Sequence, residues 1–184
     1  MGRKSQHAFH GAPHRFDVMA MFLNAYFGSS IQYIADVAGG QGLLSRLLNK
    51  RYNYDAEVID PRGRRIKGVP GREEEFAPEM AAYYDIVVGL HPDEATRALA
   101  EAAKARPVLI VPCCNFWSEE KLGRDALVEA IEQFYRDHAI SYERITFPFR
   151  GPKNIGLLSS PAASSLAGPE IDHILASIKK KLHL

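Results

Sequence analysis

The stretch Ile31-Gln32-Tyr33-Ile34-Ala35-Asp36-Val37-Ala38-Gly39-Gly40-Gln41-Gly42-Leu43-Leu44 runs from apolar and β-branched residues through a carboxylate into three glycines and then into leucines. Apolar, β-branched side chains favour a strand, and glycines permit a tight turn. The residues from Leu43 to about Lys50 read as a helix. Strand, glycine turn and helix, in that order, open a doubly wound sheet. Ala56-Glu57-Val58-Ile59-Asp60 then predicts a second short strand that again ends on a carboxylate, and Pro61-Arg62-Gly63 breaks the run.

Working outward, His14 to Phe27 carries Phe16, Met19, Met21, Phe22, Leu23 and Tyr26 at mostly three- and four-residue intervals, the pattern of an amphipathic helix. Downstream, a weak strand is expected near Ile66 to Val69 and a short helix around Pro78 to Ala82. Tyr84 to Leu90 reads as a buried strand, Pro92 to Ala105 as a helix, and Val108 to Val111 as the most apolar strand of all. A helix over Leu122 to His138 precedes two strands, Tyr142 to Phe149 and Asn154 to Ser159, joined by Arg150-Gly151-Pro152-Lys153. Ala162 to Gly168 reads as a linker and Pro169 to Leu182 as a terminal helix with a basic end. Alternation of strands and helices to about residue 140 implies right-handed crossovers and buried parallel strands. The expected fold is therefore α/β, a Rossmann-like, doubly wound and mostly parallel sheet with an antiparallel C-terminal strand pair. One domain is expected, with its core over residues 13–160, a basic segment at 1–12 and a linker and helix at 162–184.

The chain has 184 residues, enough to bury a core without a disulfide or structural metal. Its two cysteines, Cys113 and Cys114, are neighbours, a poor geometry for a disulfide, and no second Cys or His pair at ligand spacing makes a zinc site with them. Lys plus Arg number 23 against 22 for Asp plus Glu, so no global charge draws the protein to nucleic acid or anionic lipid. The ends are less balanced: residues 1–16 carry Arg3, Lys4, Arg15, His7, His10 and His14 without an acid, and the tail carries Lys179, Lys180 and Lys181. No apolar run reaches membrane-spanning length and no secretory signal is evident, so a cytoplasmic location is expected.

In an open parallel sheet, ligands bind beyond the carboxyl ends of the strands, where strand order reverses. Asp36, the Gly39-Gly40-Gln41-Gly42 turn, Asp60, Gly89-Leu90-His91 and Pro112-Cys113-Cys114-Asn115 all fall at predicted strand ends. The glycines let backbone approach a ligand, and an acid ending the second strand can accept both ribose hydroxyls. A dinucleotide fingerprint would place a third glycine where Ser45 stands. With Asp36 before the turn and Asp60 after it, the pattern favours S-adenosylmethionine, which has no phosphates to cradle.

These segments resemble the first two motifs of class I S-adenosylmethionine-dependent methyltransferases. Further along, Gly89-Leu90-His91-Pro92-Asp93-Glu94-Ala95-Thr96 and Val111-Pro112-Cys113-Cys114-Asn115-Phe116 are similar to the Gly-x-His-x-Asp-Glu-x-Thr and Pro-Cys-Cys-x-Phe segments of the tRNA-serine uridine 2'-O-methyltransferases. Asp60-Pro61-Arg62-Gly63-Arg64-Arg65 resembles that family's acid-plus-basic stretch. The likeness covers roughly Ile31 to Phe116, in a chain shorter than the better-known members. It implies a cofactor site at Asp36, Ala38, Gly39, Gly40, Gly42, Asp60, Pro61, Gly89, Leu90 and His91. It also implies tRNA as the acceptor.

A ribose hydroxyl is a poor nucleophile and needs a base within hydrogen-bond reach; His91 and Asp93 are the candidates. Asp93 with Glu94 is also an ordinary helix-start arrangement. Pro112, Cys113, Cys114, Asn115, Phe116, Arg62 and Lys153 are the candidate substrate contacts, with Trp117 a further aromatic that could stack a base. A thiolate from the cysteine pair could instead add to a pyrimidine ring, although cysteines ending a core strand are more often packing residues. The reading is an RNA methyltransferase that acts on a tRNA ribose 2'-hydroxyl. The alternatives are small-molecule or base-carbon methylation, or a cofactor-binding module without activity that serves a protein partner. No DNA partner is indicated.

Overall fold

The computed structural model describes residue 12 and residues 14–113, 117–119, 122–161 and 169–184. In chain order the elements are α1 (Arg15–Phe27), β1 (Tyr33–Val37), α2 (Leu43–Tyr52), β2 (Asp55–Ile59), β3 (Gly71–Arg72), β4 (Ile86–Leu90), α3 (Thr96–Ala102), β5 (Val108–Val111), α4 (Arg124–Asp137), β6 (Ser141–Thr146), β7 (Ile155–Ser160) and α5 (Ile171–Leu182). All described strands join one sheet in the order β3-β2-β1-β4-β5-β7-β6. Pairing from β3 through β5 is parallel, whereas β7 runs antiparallel to both β5 and β6. The sheet is thus the expected Rossmann-like one with an antiparallel strand pair at its end.

Alternate residues of each central strand face opposite helical layers. Ile34, Ala56, Ile86, Val88, Leu109 and Leu158 pack toward α1, α2 and α5. Ala35, Ile59, Val87, Val108, Ile110 and Leu157 pack toward α3 and α4. With both faces covered, the polar groups of the central strands are left at their ends.

Two elements differ from the sequence reading. The third strand lies at Gly71–Arg72 and not at Ile66 to Val69, which is occupied by a turn closed by Val69 N–H donating to Ile66 O. A Cβ at Gly71 would collide with the Val58 carbonyl, so the edge strand forms where glycine allows this approach. The helix expected from Pro92 instead begins as a 3-10 turn at Asp93–Ala95 and becomes α-helical only at Thr96. Asp93 has a φ of 48°, which no right-handed helix accommodates. No helix among the described residues is long and apolar enough to cross a membrane. Residues 1–11 of the basic segment 1–12, Cys114, Asn115, Phe116 and the linker at 162–168 lie outside the described residues.

Candidate active site

Register brings the carboxyl ends of four strands level. Val37 is paired with Ile59 and Leu90 with Val111. Beyond them, Ala38 N–H donates to Ile59 O at 2.8 Å and His91 N–H to Val111 O at 2.9 Å. Ala38, Asp60, His91 and Pro112 are therefore the first residues past β1, β2, β4 and β5.

Leaving β1, the chain adopts left-handed backbone at Ala38, Gly40 and Gly42, with φ of 53°, 58° and 77°. Gly42 has a second constraint: an added Cβ would lie 2.7 Å from Val58 Cγ2, so the turn sits flush on β2. At Gly40 an added Cβ would meet nothing within 4 Å, which leaves its backbone open to a ligand. Beneath the turn is Asp36, whose Oδ2 accepts from Ser45 N–H at 3.2 Å and from Ser45 Oγ at 2.9 Å. Ser45, the residue that spoils a dinucleotide fingerprint, is thus the donor that satisfies a buried acid. Burial pushes the Asp36 carboxyl up to about 6, against the downward pull of those Ser45 bonds.

Asp60 is 1% exposed and saturated. Its Oδ2 accepts from Gly40 N–H at 2.8 Å and Arg62 Nη2 at 2.7 Å, and its Oδ1 from Arg62 N–H and Arg62 Nε, both at 2.9 Å. Burial pushes this carboxyl up, but the Arg62 and Gly40 hydrogen bonds outweigh it and hold Asp60 below its ordinary value. A cavity of about 430 Å³ opens here, bounded by Val37 and Ala38 after β1, Ile59 to Arg62 after β2, Glu75 and Phe76, and Pro92 to Ala95 with Ala98 after β4.

Of the expected cofactor residues, Ala38, Asp60 and Pro61 line this cavity; Gly39, Gly40 and Gly42 form the adjoining turn, and Asp36 in β1 lies beneath it. Gly89 and Leu90 are placed in packing: a Cβ at Gly89 would strike Leu99 Cδ1 and Pro92, and Leu90 belongs to the core. Arg62, expected on the substrate side, is clamped to the acid of the cavity. Phe76, Ala98 and Glu75 were not singled out by the sequence; small and aromatic wall residues carry no chemical signature there, and Glu75 is one of three consecutive glutamates.

A second set of groups lies beside the cavity. Asp93 lines it, and its Oδ1 accepts from Cys113 Sγ at 2.9 Å, which joins the two segments that resemble one methyltransferase family. His91, with a φ of 60°, places Nε2 2.9 Å from the carbonyl of Lys153. A carbonyl only accepts, so Nε2 carries the proton and Nδ1 keeps its lone pair. Burial pushes the imidazole below its ordinary value, against the opposing effect of the Lys153 bond. Pro112, the first residue past β5, is buried. Trp117 packs edge-on against Phe134 at 5.8 Å with the Arg97 guanidinium 4.6 Å over its ring. Arg150, Lys179 and His183 line a separate cavity of about 550 Å³ between the β6–β7 connection and α5.

No known family's sequence pattern matches the chain, and no curated protein matches it in sequence. Solved structures do match in fold. The sugar N-methyltransferase KedS8 from Streptoalloteichus sp ATCC 53650 superposes with a TM-score of 0.52 at 14% identity, over 88% of this chain and 98% of that one. A Methanococcus maripaludis protein assigned as an S-adenosyl-L-methionine-dependent methyltransferase gives 0.53 at 13% identity, over 82% and 86%. The ribosomal protein L11 methylase from Lactobacillus delbrueckii subsp. bulgaricus gives 0.51 at 14% identity, over 78% and 76%. The chain has the class I S-adenosylmethionine-dependent methyltransferase fold. Nothing in these comparisons singles out the tRNA-serine uridine 2'-O-methyltransferases.

Proposed function

We propose that the protein is an S-adenosylmethionine-dependent methyltransferase whose cofactor lies along the glycine turn with its nucleoside in the cavity at Asp60. The observation that carries this reading is the Gly40 N–H to Asp60 bond, which ties the open turn after β1 to the buried acid after β2 at the mouth of that cavity. The residues fit the cofactor. Asp60 offers acceptors for a vicinal diol, Phe76 and Ala38 supply apolar wall, and Gly40 presents backbone no side chain obstructs. S-adenosylmethionine, when bound, supplies an electrophilic methyl group on a sulfonium.

The chain's own part is to place and deprotonate the acceptor. Positioning alone supplies much of the rate in such a displacement. Asp93, on the cavity wall, and His91 Nδ1 are the two proton acceptors at this edge. The Cys113 thiol donates to Asp93, which makes the cysteine a fixing group and not a resting nucleophile. The acceptor is read as an oxygen or nitrogen nucleophile of a small molecule or protein, the classes named for the sugar N-methyltransferase and the L11 methylase. A second reading, a tRNA ribose hydroxyl, is favoured by the contact between the His91–Asp93 and Cys113 segments and by the basic cavity at Arg150, Lys179 and His183.

Transfer of labelled methyl to a panel of hydroxyl and amine acceptors, with total cellular RNA alongside, tests the proposal. Label is expected in one class, and removal of the base by His91→Ala or Asp93→Ala is expected to lower turnover about 10²- to 10⁴-fold. If His91 is that base, activity fails in acid with a midpoint below the ordinary imidazole value of 6.5. Cofactor bound with no acceptor labelled contradicts the catalytic reading and leaves a binding module; unchanged turnover in both variants contradicts the assigned bases.

A further inference from the structure

A carboxylate offers about four lone-pair positions, and all four at Asp60 are taken. Two are filled by backbone donors, Gly40 N–H and Arg62 N–H, and two by the Arg62 side chain through Nε and Nη2. The backbone donors belong to the fold. The side-chain donors belong to Arg62, whose side chain is 53% exposed and also lines the cavity.

We propose that Arg62 stands in for the ribose diol: its Nε–H and Nη2–H occupy the two Asp60 positions that the 2'- and 3'-hydroxyls of the cofactor take over, so nucleoside binding requires Arg62 to let go. This rests on the cofactor reading above and assigns Arg62 to the control of cofactor affinity and not to the methyl acceptor. Two O–H donors replace two N–H donors, so the buried acid keeps its partners throughout the exchange.

Only the side chain has to move. Arg62 N–H stays on Asp60, and the following loop is tied down: a Cβ at Gly63 would lie 2.8 Å from the Glu73 carboxyl carbon, Arg65 pairs with Glu73 at 3.6 Å, and Ile66 N–H donates to Gln41 O at 2.9 Å. Across the cavity, Asp93 and Glu94 give the released guanidinium an anionic wall. Without Arg62, Asp60 keeps its two backbone donors and presents two open acceptor positions to the cavity it lines, which water or a diol can fill. Removing Arg62 therefore raises affinity for any ligand that brings a vicinal diol and does nothing for one that lacks it.

The test is calorimetric titration of the full chain with S-adenosylhomocysteine, adenosine and 2',3'-dideoxyadenosine. Arg62→Ala is expected to tighten the first two about two- to fivefold, the scale of a partly exposed ion pair, and to leave the dideoxy compound unchanged. Arg62→Lys, which keeps the charge and loses the fork, is expected to fall between the wild type and Arg62→Ala, and it serves if the alanine variant folds poorly. In an Asp60→Asn background, Arg62→Ala is expected to tighten nothing. Weaker or equal S-adenosylhomocysteine binding by Arg62→Ala, or an equal shift for the dideoxy compound, overturns the inference and leaves the cofactor reading intact. Failure of every nucleoside to bind wild type and variants alike overturns both.

Discussion

Asp36 is a carboxylate held where water scarcely reaches it, satisfied by one serine and lying under a turn built for close backbone approach. Its folded-state value of about 6 lies above the ordinary 3.8, so between those limits the native state binds more protons than the unfolded chain. Stability therefore rises as pH falls from about 6 toward 3.8, and above about 6 the buried charge imposes its full cost. Asp36→Asn keeps a carbonyl acceptor for Ser45 and removes the charge. The variant is expected to be more stable than wild type by about 1–3 kcal/mol near pH 8, with the advantage shrinking toward pH 4. Urea unfolding at the two pH values checks this; a variant less stable near pH 8 would mean that the charge is compensated. At this scale the sequence was legible in part. Asp36, Asp60 and the glycines announced themselves by chemistry and spacing, and the absence of a third glycine at Ser45 was visible. That Ser45 would bond Asp36, or that Arg62 would fold back onto Asp60, depends on side-chain directions set by packing, which a string of residue types does not carry.

Among the elements, β7 decides the architecture, because it inserts antiparallel between β5 and β6. Gly156 is the tight point of that insertion. A Cβ there would lie 2.7 Å from Phe147 Cε2 and 3.2 Å from Val111 Cγ2, so backbone and core ring touch where any side chain would intrude. Gly156→Ala is expected to destabilise the fold by about 1–3 kcal/mol, the cost of overpacking a dense core, and thermal or urea unfolding measures it. An unchanged unfolding midpoint would show that Phe147 yields freely. The strand pair itself was legible from two apolar runs around a Gly-Pro turn, because local sequence determines a hairpin. Its position in the sheet was not, since order depends on which edge is free once the other strands have paired. The third strand was misplaced for a related reason: Ile66 to Val69 has the better strand composition, yet Gly71 is the residue able to lie against Val58.

At the scale of the whole molecule, a parallel sheet with helices on both faces leaves its polar residues at one rim, and register brings together groups far apart in sequence. Asp60 and Gly40 are 20 positions apart and bonded; Asp93 and Cys113 are likewise 20 apart and bonded; His91 reaches Lys153 across 62. The convergence of these pairs follows from strand ends, which the sequence shows. The division of labour along the rim is not legible there, because residues such as Phe76 and Ala98 become cavity wall only through the fold. On this reading the rim holds the adenosine of a methyl donor. A crystal structure of the protein soaked with S-adenosylhomocysteine tests it most directly. The adenine is expected beside Phe76 and Ala38, with both ribose hydroxyls on Asp60 and Arg62 released from it. A nucleoside bound elsewhere, or a cavity that stays closed at Asp60 under saturating ligand, would contradict it.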